Sequence, residues 1–332
     1  MIYDEKTARE LVVQAGHRLL QRGLVARTWG NISARISETH FVITPSGRAY
    51  DTLREEDLVR VSIADCSYEG ERKPSSEKGI HAAVYQRCRE AGFVIHTHQD
   101  YASCVGVSGK DLSGLSHTIL GDCVPCAAYG MPSTKKLQKG VEAAMDAHPA
   151  AAAILMRHHG ALCLAEDMEQ AFAVTEALEE LSRSVFEEAV TLAESDSADG
   201  SALLAALRAA VPDKNFSVET DSAARLIAAE GKTLLPHLDD LAQIAGVDIR
   251  CAKNEPQAVL AALKGRNAAF VEGIGAVCCA EDEDDLGAIA AILRKSCMAA
   301  LYAKHCGAAP LHALDRRIMR LVYTMKYSKK KA

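Results

Sequence analysis

His96-Thr97-His98 is the sharpest chemical signal in the chain, and it closes the apolar run Phe93-Val94-Ile95. Side chains alternate faces along a strand, so residues two apart project together and can grip one ion. Imidazole nitrogen suits zinc, cobalt, nickel or iron, and three protein ligands leave a coordination position open for substrate. A second pair, His158-His159, stands before Gly160 where one apolar strand turns into the next. Glu77 follows two serines at the start of a predicted helix, placed to act as a fourth ligand or a proton acceptor. Histidines buried together without an ion would leave several ring nitrogens to satisfy. Three small-residue turns, Gly30-Asn31, Ser46-Gly47 and Ser75-Ser76, form a second signal. Bare backbone N–H groups and hydroxyls near a helix N-terminus cradle an anion without Lys or Arg. Singly each is ordinary loop chemistry; together with the histidines they suggest a phosphate.

These residues need elements to position them. Leu11, Val12, Ala15, Leu19 and Leu20 recur at helical spacing, so Glu5 to Arg22 reads as an amphipathic helix with Gly23 at its end. Strand-like runs follow at Asn31–Ile36, His40–Thr44 and Leu58–Ser62. Ser75 and Ser76 are natural N-caps for a helix over Lys78–Ala91, and the early Glu77 suits its dipole. A strand over Phe93–His98, a helix from Asp100 and a turn-rich passage from Gly109 to Pro132 come next. A helix over Ser133–Ala147, strands Ala151–Arg157 and Gly160–Ala165, and a helix from Glu169 to about Leu192 complete the unit. Antiparallel pairs interleaved with single helices fit a sheet domain of α+β type better than a parallel doubly wound one. The small polar stretch Ser195–Ser201 reads as a linker.

The remainder of the chain echoes its first part. Gly160-Ala161-Leu162-Cys163-Leu164-Ala165-Glu166-Asp167 is answered by Gly275-Ala276-Val277-Cys278-Cys279-Ala280-Glu281-Asp282, each after an apolar run and before a helical one. Asp100-Tyr101-Ala102 is echoed by Asp221-Ser222-Ala223. Residues 201–332 thus read as a partial second copy of the later half of the domain at 1–194. In it His158 and His159 correspond to Gly273 and Ile274. A framework kept without its histidines implies that they are dispensable for folding.

Composition sets outer limits. The chain has 332 residues, 25% of them charged and a formal net charge of −6, which disfavours a general nucleic-acid or membrane-surface partner. The basic run Lys326–Lys331 reads as a solvated tail. No stretch approaches the roughly 18 apolar residues of a membrane span, and the charged N-terminus is unlike a signal peptide. Eleven cysteines, an odd number in mostly apolar settings, read as reduced thiols in a cytoplasmic protein. Cys123-Val124-Pro125-Cys126 has redox-motif spacing without the matching strand-to-helix context, so a structural role is expected.

Five motifs in order carry a family likeness: Gly30-Asn31-Ile32-Ser33, Thr44-Pro45-Ser46-Gly47, Pro74-Ser75-Ser76-Glu77, His96-Thr97-His98 and His158-His159-Gly160. Over about residues 5–190 the chain resembles the class II aldolase/adducin family, nearest its fuculose-phosphate-cleaving branch. The resemblance implies a three-layer α/β/α domain around a central, mostly antiparallel sheet, joined here to a second, smaller related α/β domain. It implies a divalent metal, usually zinc, at His96, His98 and His159, with Glu77 as displaceable ligand and catalytic acid/base. Gly30, Asn31, Ser46, Gly47, Ser75 and Ser76 would hold the substrate phosphate. The implied activity is that of a metal-dependent aldehyde-lyase, cleaving a small ketose phosphate to dihydroxyacetone phosphate and an aldehyde. Related pentulose-phosphate 4-epimerases carry Asp where Glu77 stands. Against the aldolase pattern, Thr118 occupies the place of a catalytic Tyr after the His matching His117. Epimerase, dehydratase or decarboxylase chemistry, and a non-catalytic adducin-like module, therefore remain alternatives. Family members are commonly homo-oligomers with sites between subunits.

Overall fold

A computed structural model describes residues 1–25, 29–192 and 199–326. Most of the expected linker and of the basic tail lies outside the described residues. The chain divides into two compact units, Met1–Val185 and Phe186–Ala332.

In the first unit α1 (Glu5–Gln21) starts from Asp4, whose carboxylate accepts the Thr7 N–H, and stops at Gly23, in the left-handed region at φ +67°. The strands β1 (Asn31–Arg35), β2 (His40–Ile43) and β3 (Val59–Ser62) follow, then α2 (Lys78–Arg87), β4 (Phe93–Thr97) and α3 (Asp100–Gly106). The passage expected as turns contains a hairpin, β5 (Leu112–His117) with β6 (Gly121–Val124), and a short β7 (Cys126–Ala127). The polar Ser-Gly-Leu-Ser-His pattern of β5 hides a strand that pairs outside the main sheet. Then come α4 (Lys135–Ala147), β8 (Ala153–Met156), β9 (Gly160–Ala165) and α5 (Met168–Ala189), which runs across the division between units.

Seven strands form one sheet in the order β3-β2-β1-β4-β9-β8-β7, antiparallel throughout except between β7 and β8. Alternation sorts its two faces. Phe41, Ile43, Val94, Ile154 and Leu162 pack with Ile80 and Val84 of α2 and Val141 of α4. Ile32, Val42, Phe93 and Ile95 pack with Val12 and Leu19 of α1 and Phe172 of α5. The domain is therefore the expected three-layer α/β/α sandwich. Central β4 is buried at every position, and its parity places His96 on the α2 side with Val94.

The second unit contains α6 (Ser201–Ala210), β10 (Asn215–Glu219), α7 (Ser222–Ala229), α8 (Asp239–Ile244), β11 (Cys251–Ala252), α9 (Pro256–Leu263), β12 (Ala268–Val271), β13 (Gly275–Ala280), α10 (Glu283–Cys306) and α11 (Ala313–Lys326). Its sheet runs β10-β13-β12-β11, antiparallel, antiparallel, then parallel. Contrary to the sequence expectation, one described helix, α10, is long and apolar enough to cross a membrane. Two-thirds (67%) of its most apolar stretch is buried within the protein, as in the core helix of a water-soluble fold.

Candidate metal centre

The sheet topology brings together residues far apart in sequence. His96 lies at the end of β4 and His98 just past it, while His159 sits in the turn between β8 and β9. Their ring centroids lie 4.7–4.9 Å apart, and the Nε2 atoms of His96 and His98 are separated by 3.2 Å. Nδ1 of His96 donates to the Ala161 carbonyl at 2.8 Å, so Nε2 is the atom left to face the cluster. Glu77 reaches in from the start of α2, with Oε1 3.1 Å from His159 Nε2 and Oε2 3.2 Å from His96 Nε2. Burial pushes the Glu77 carboxyl up, but His159 and His96 outweigh it and hold the group well below the usual carboxylate range. The three histidines form a group able to hold one metal ion.

Two glycines make this packing possible. A Cβ on Gly30, at φ +79°, would stand 2.4 Å from the His96 carbonyl oxygen. One on Gly160 would stand 2.3 Å from that of Thr97. His158, at φ +64°, absorbs the left-handed turn that swings His159 inward.

The turns expected to hold phosphate converge, though not with the donors the sequence suggested. The Ser75 N–H bonds to the Thr44 carbonyl and the Ser46 N–H to that of Lys73, so these two are spent on stapling the turns together. Thr44 in turn pairs with Ile32, beside Asn31. Exposed Gly47 and Ser76 stay at the surface of this junction. The serines are also not helix caps: Glu77 occupies the N-cap of α2 without a capping bond, and Ser75 Oγ accepts its N–H instead. The helix ends at Arg87, four residues short of the expected Ala91.

Asn31 plays a part that sequence reasoning misses. Its amide donates to Glu77 Oε2 at 3.1 Å and its carbonyl oxygen receives His81 Nε2. A carboxylate only accepts, which fixes the amide orientation; the amide oxygen only accepts, which puts the His81 proton on Nε2. His81 Nδ1 must then accept the Ser33 hydroxyl at 2.7 Å, and Ser33 Oγ accepts from Tyr85 at 2.8 Å. Burial, followed by the neighbouring His96, pushes the His81 pKa down to about 3, so the ring is neutral. The signal was present as periodicity. Asn31, Ser33 and Arg35 alternate along a buried strand, while Glu77, His81 and Tyr85 recur every four residues along one helix face. Arg35 ends the stripe, with its guanidinium bonded to the carbonyls of Tyr85, Cys88 and Ala91.

Thr118 lies exposed in the β5–β6 turn, outside the cluster. Tyr129, which the sequence gives no reason to place, stands edge-on to His158 at 5.5 Å between ring centroids. A cavity of about 290 Å³ has Ser76, Glu77, Lys78, Ser133, Thr134 and Lys135 in its wall.

Three imidazoles and a carboxylate at the strand ends of an antiparallel α/β/α sandwich define a class of fold able to hold a divalent cation in a buried polar site. The chain belongs to the class II aldolase and adducin family, whose N-terminal domain matches residues 10–186. It is 35% identical over 174 residues to 5-deoxy-D-ribulose 1-phosphate aldolase of Bacillus thuringiensis, spanning 52% of this chain and 80% of that one. It is 38% identical over 123 residues to L-ribulose-5-phosphate 4-epimerase UlaF of Salmonella paratyphi B, spanning 36% and 54%. A solved L-fuculose 1-phosphate aldolase superposes with a TM-score of 0.50 at 28% identity, covering 57% of this chain and 91% of its own.

Proposed function

We propose that the chain is a divalent-metal-dependent aldehyde-lyase that cleaves a small ketose phosphate to dihydroxyacetone phosphate and an aldehyde. The observation that carries this reading is the Glu77 carboxylate set between His96 and His159, with His98 beside them. Imidazole nitrogens with a carboxylate oxygen are a zinc-type donor set. When bound, such an ion stabilises the negative charge that develops on ketose oxygens as the carbon–carbon bond breaks. In condensation the Glu77 carboxylate removes a proton from the carbon that becomes the nucleophile, and the new hydroxyl takes its proton from solvent. Cleavage runs the same transfers in reverse, the hydroxyl proton leaving to solvent and protonated Glu77 returning one to the carbanionic carbon. Asn31 holds Oε2 of that carboxylate in place, and neutral His81 holds Asn31. The junction of Gly30, Asn31, Ser46, Gly47, Ser75 and Ser76 receives the substrate phosphate through its serine hydroxyls and the N–H groups not spent on the Ser75–Thr44 and Ser46–Lys73 bonds, assisted by the N-terminus of α2.

The test is condensation of dihydroxyacetone phosphate with short aldehydes, assayed for a new ketose phosphate with and without chelator. Metal-dependent product supports the lyase, and no product from any aldehyde removes it. A second reading, 4-epimerisation of a pentulose phosphate, is favoured by Thr118 in place of tyrosine and by the epimerase relative. Turnover of L-ribulose 5-phosphate without aldehyde release would select it.

The second unit is proposed to be a non-catalytic partial copy. Its strand order and pairing senses repeat those of β4-β9-β8-β7. A Cβ on Gly275 would meet the Glu219 carbonyl at 2.3 Å, as one on Gly160 meets Thr97, and Gly273 takes the φ of His158. This register sets Val218, Thr220 and Ile274 where His96, His98 and His159 stand, and Gly200, the N-cap of α6, opposite Glu77. It also aligns Gln99, rather than Asp100, with Asp221 as helix N-cap. On this reading His159→Ala abolishes all turnover, and residual activity would locate a second site. Assembly into a homo-oligomer is part of the same proposal, measurable by light scattering.

A further inference from the structure

The Cys123-Val124-Pro125-Cys126 motif has no part in the proposed lyase reaction, yet it meets two other metal-binding residue types. Cys123 lies in β6, Asp111 just before β5, and His148 caps the C-terminus of α4. Their donor atoms all lie within 4.8 Å of one another, and His148 Nε2 is 3.5 Å from Asp111 Oδ2. A tetrahedral ion with bonds of about 2.0–2.3 Å sets its donors roughly 3.3–3.8 Å apart, so small side-chain rotations close the set. The other carboxylate oxygen, Oδ1 of Asp111, accepts the Cys126 N–H at 2.8 Å, which fixes the carboxylate as an outer-shell bond does in a metal site. The two cysteines thus divide the work: the first supplies sulfur, the second a backbone donor.

We infer that Asp111, Cys123 and His148 form a second divalent-metal site, of mixed sulfur, nitrogen and oxygen donors, which clips the β5–β6 hairpin to the end of α4. One soft thiolate with imidazole and carboxylate selects a zinc-like ion over magnesium or calcium. The fourth position is left to water, because the site is partly exposed. Binding forms the metal–sulfur bond as the Cys123 thiol gives its proton to solvent, with no change of oxidation state. The site does not depend on the lyase reading, since it shares no residue with the histidine cluster.

Cobalt(II) distinguishes the two. Full-length protein stripped by chelator and titrated with Co²⁺ is expected to develop a thiolate-to-cobalt charge-transfer band in the near ultraviolet, complete once two equivalents are bound, one at each site, and once one equivalent is bound in a His96→Ala/His98→Ala variant. The His96, His98, His159 and Glu77 donors contain no sulfur and cannot produce it. Cys123→Ser removes the band, and His148→Ala shifts its titration to more than about tenfold higher cobalt. A His96→Ala/His98→Ala double variant keeps it, so loss of the histidine site and loss of this one read out separately. No band in the wild-type protein, or a band that survives Cys123→Ser, overturns the inference.

Discussion

Replacing His81 with leucine tests whether the buried hydrogen-bond chain serves Glu77. The imidazole, wholly buried, accepts from Ser33 and donates to Asn31. Leucine preserves bulk and removes both bonds, leaving Asn31 Oδ1 without its donor and Ser33 with only Tyr85. Each buried polar group so orphaned costs about 1–3 kcal/mol, giving a stability loss of about 2–6 kcal/mol. The kinetic effect comes from Asn31, whose amide no longer has a fixed plane. Its bond to the ionised Glu77 carboxylate is of the class worth about 1.5–3 kcal/mol. At about 1.36 kcal/mol per decade, that corresponds to roughly 10–160-fold in kcat. The assay is steady-state cleavage of the ketose phosphate that condensation yields, at a temperature where the variant is folded. A fall in kcat of that size with little change in KM and in metal affinity is expected, because the loss falls on proton transfer rather than on substrate binding. His81→Gln, which keeps a donor, should recover part of the rate. A folded His81→Leu enzyme with kcat within about twofold of wild type would refute the positioning argument.

Four other perturbations probe the same structure. Glu77→Gln should lower kcat by about 10²–10⁴-fold, the usual range for a lost acid/base group, while the protein still takes up metal through its histidines. Arg35→Met strips three carbonyls at the end of α2 of their donor and should cost about 3–9 kcal/mol in urea unfolding, toward the lower end because the Cys88 bond is only part-buried. The depressed pKa of His81 means that the unfolded chain takes up a proton which the folded one refuses between pH 6.5 and about 3. Stability from this residue is therefore complete above pH 6.5 and falls with pH across that window, by about 2 kcal/mol at pH 5, measured by denaturant midpoints. Thr118→Ala, at an exposed turn, should leave kcat within about twofold; a tenfold fall would place that hairpin tip in a neighbouring subunit's site.

The parts of the site legible in the sequence are those with local signatures. His96 and His98 announce themselves by strand periodicity, and the turn before Gly160 points to the pair His158-His159, from which only the family resemblance selects His159. Apolar runs alternating with amphipathic helices give an antiparallel sheet domain with helices; its three-layer arrangement is what the family resemblance implies. What escapes depends on pairing between elements. A glycine neighbour points Asn31 toward phosphate, whereas the antiparallel pairing of β1 with β4 sets it opposite His96 and within reach of Glu77. Ser75 has the chemistry of a cap, but its N–H is held by Thr44 and its hydroxyl turns back to the Glu77 N–H. The hairpin β5–β6 stays hidden because its residues are polar on both faces and it joins no larger sheet.

The central claim is that His96, His98 and His159 converge on one cation. Anomalous diffraction at the zinc edge from zinc-loaded crystals tests it without reference to any substrate. A peak within coordination distance of all three Nε2 atoms, weakened in His98→Ala crystals, is the expected result. Zinc density elsewhere, with the three rings turned apart, would contradict the account.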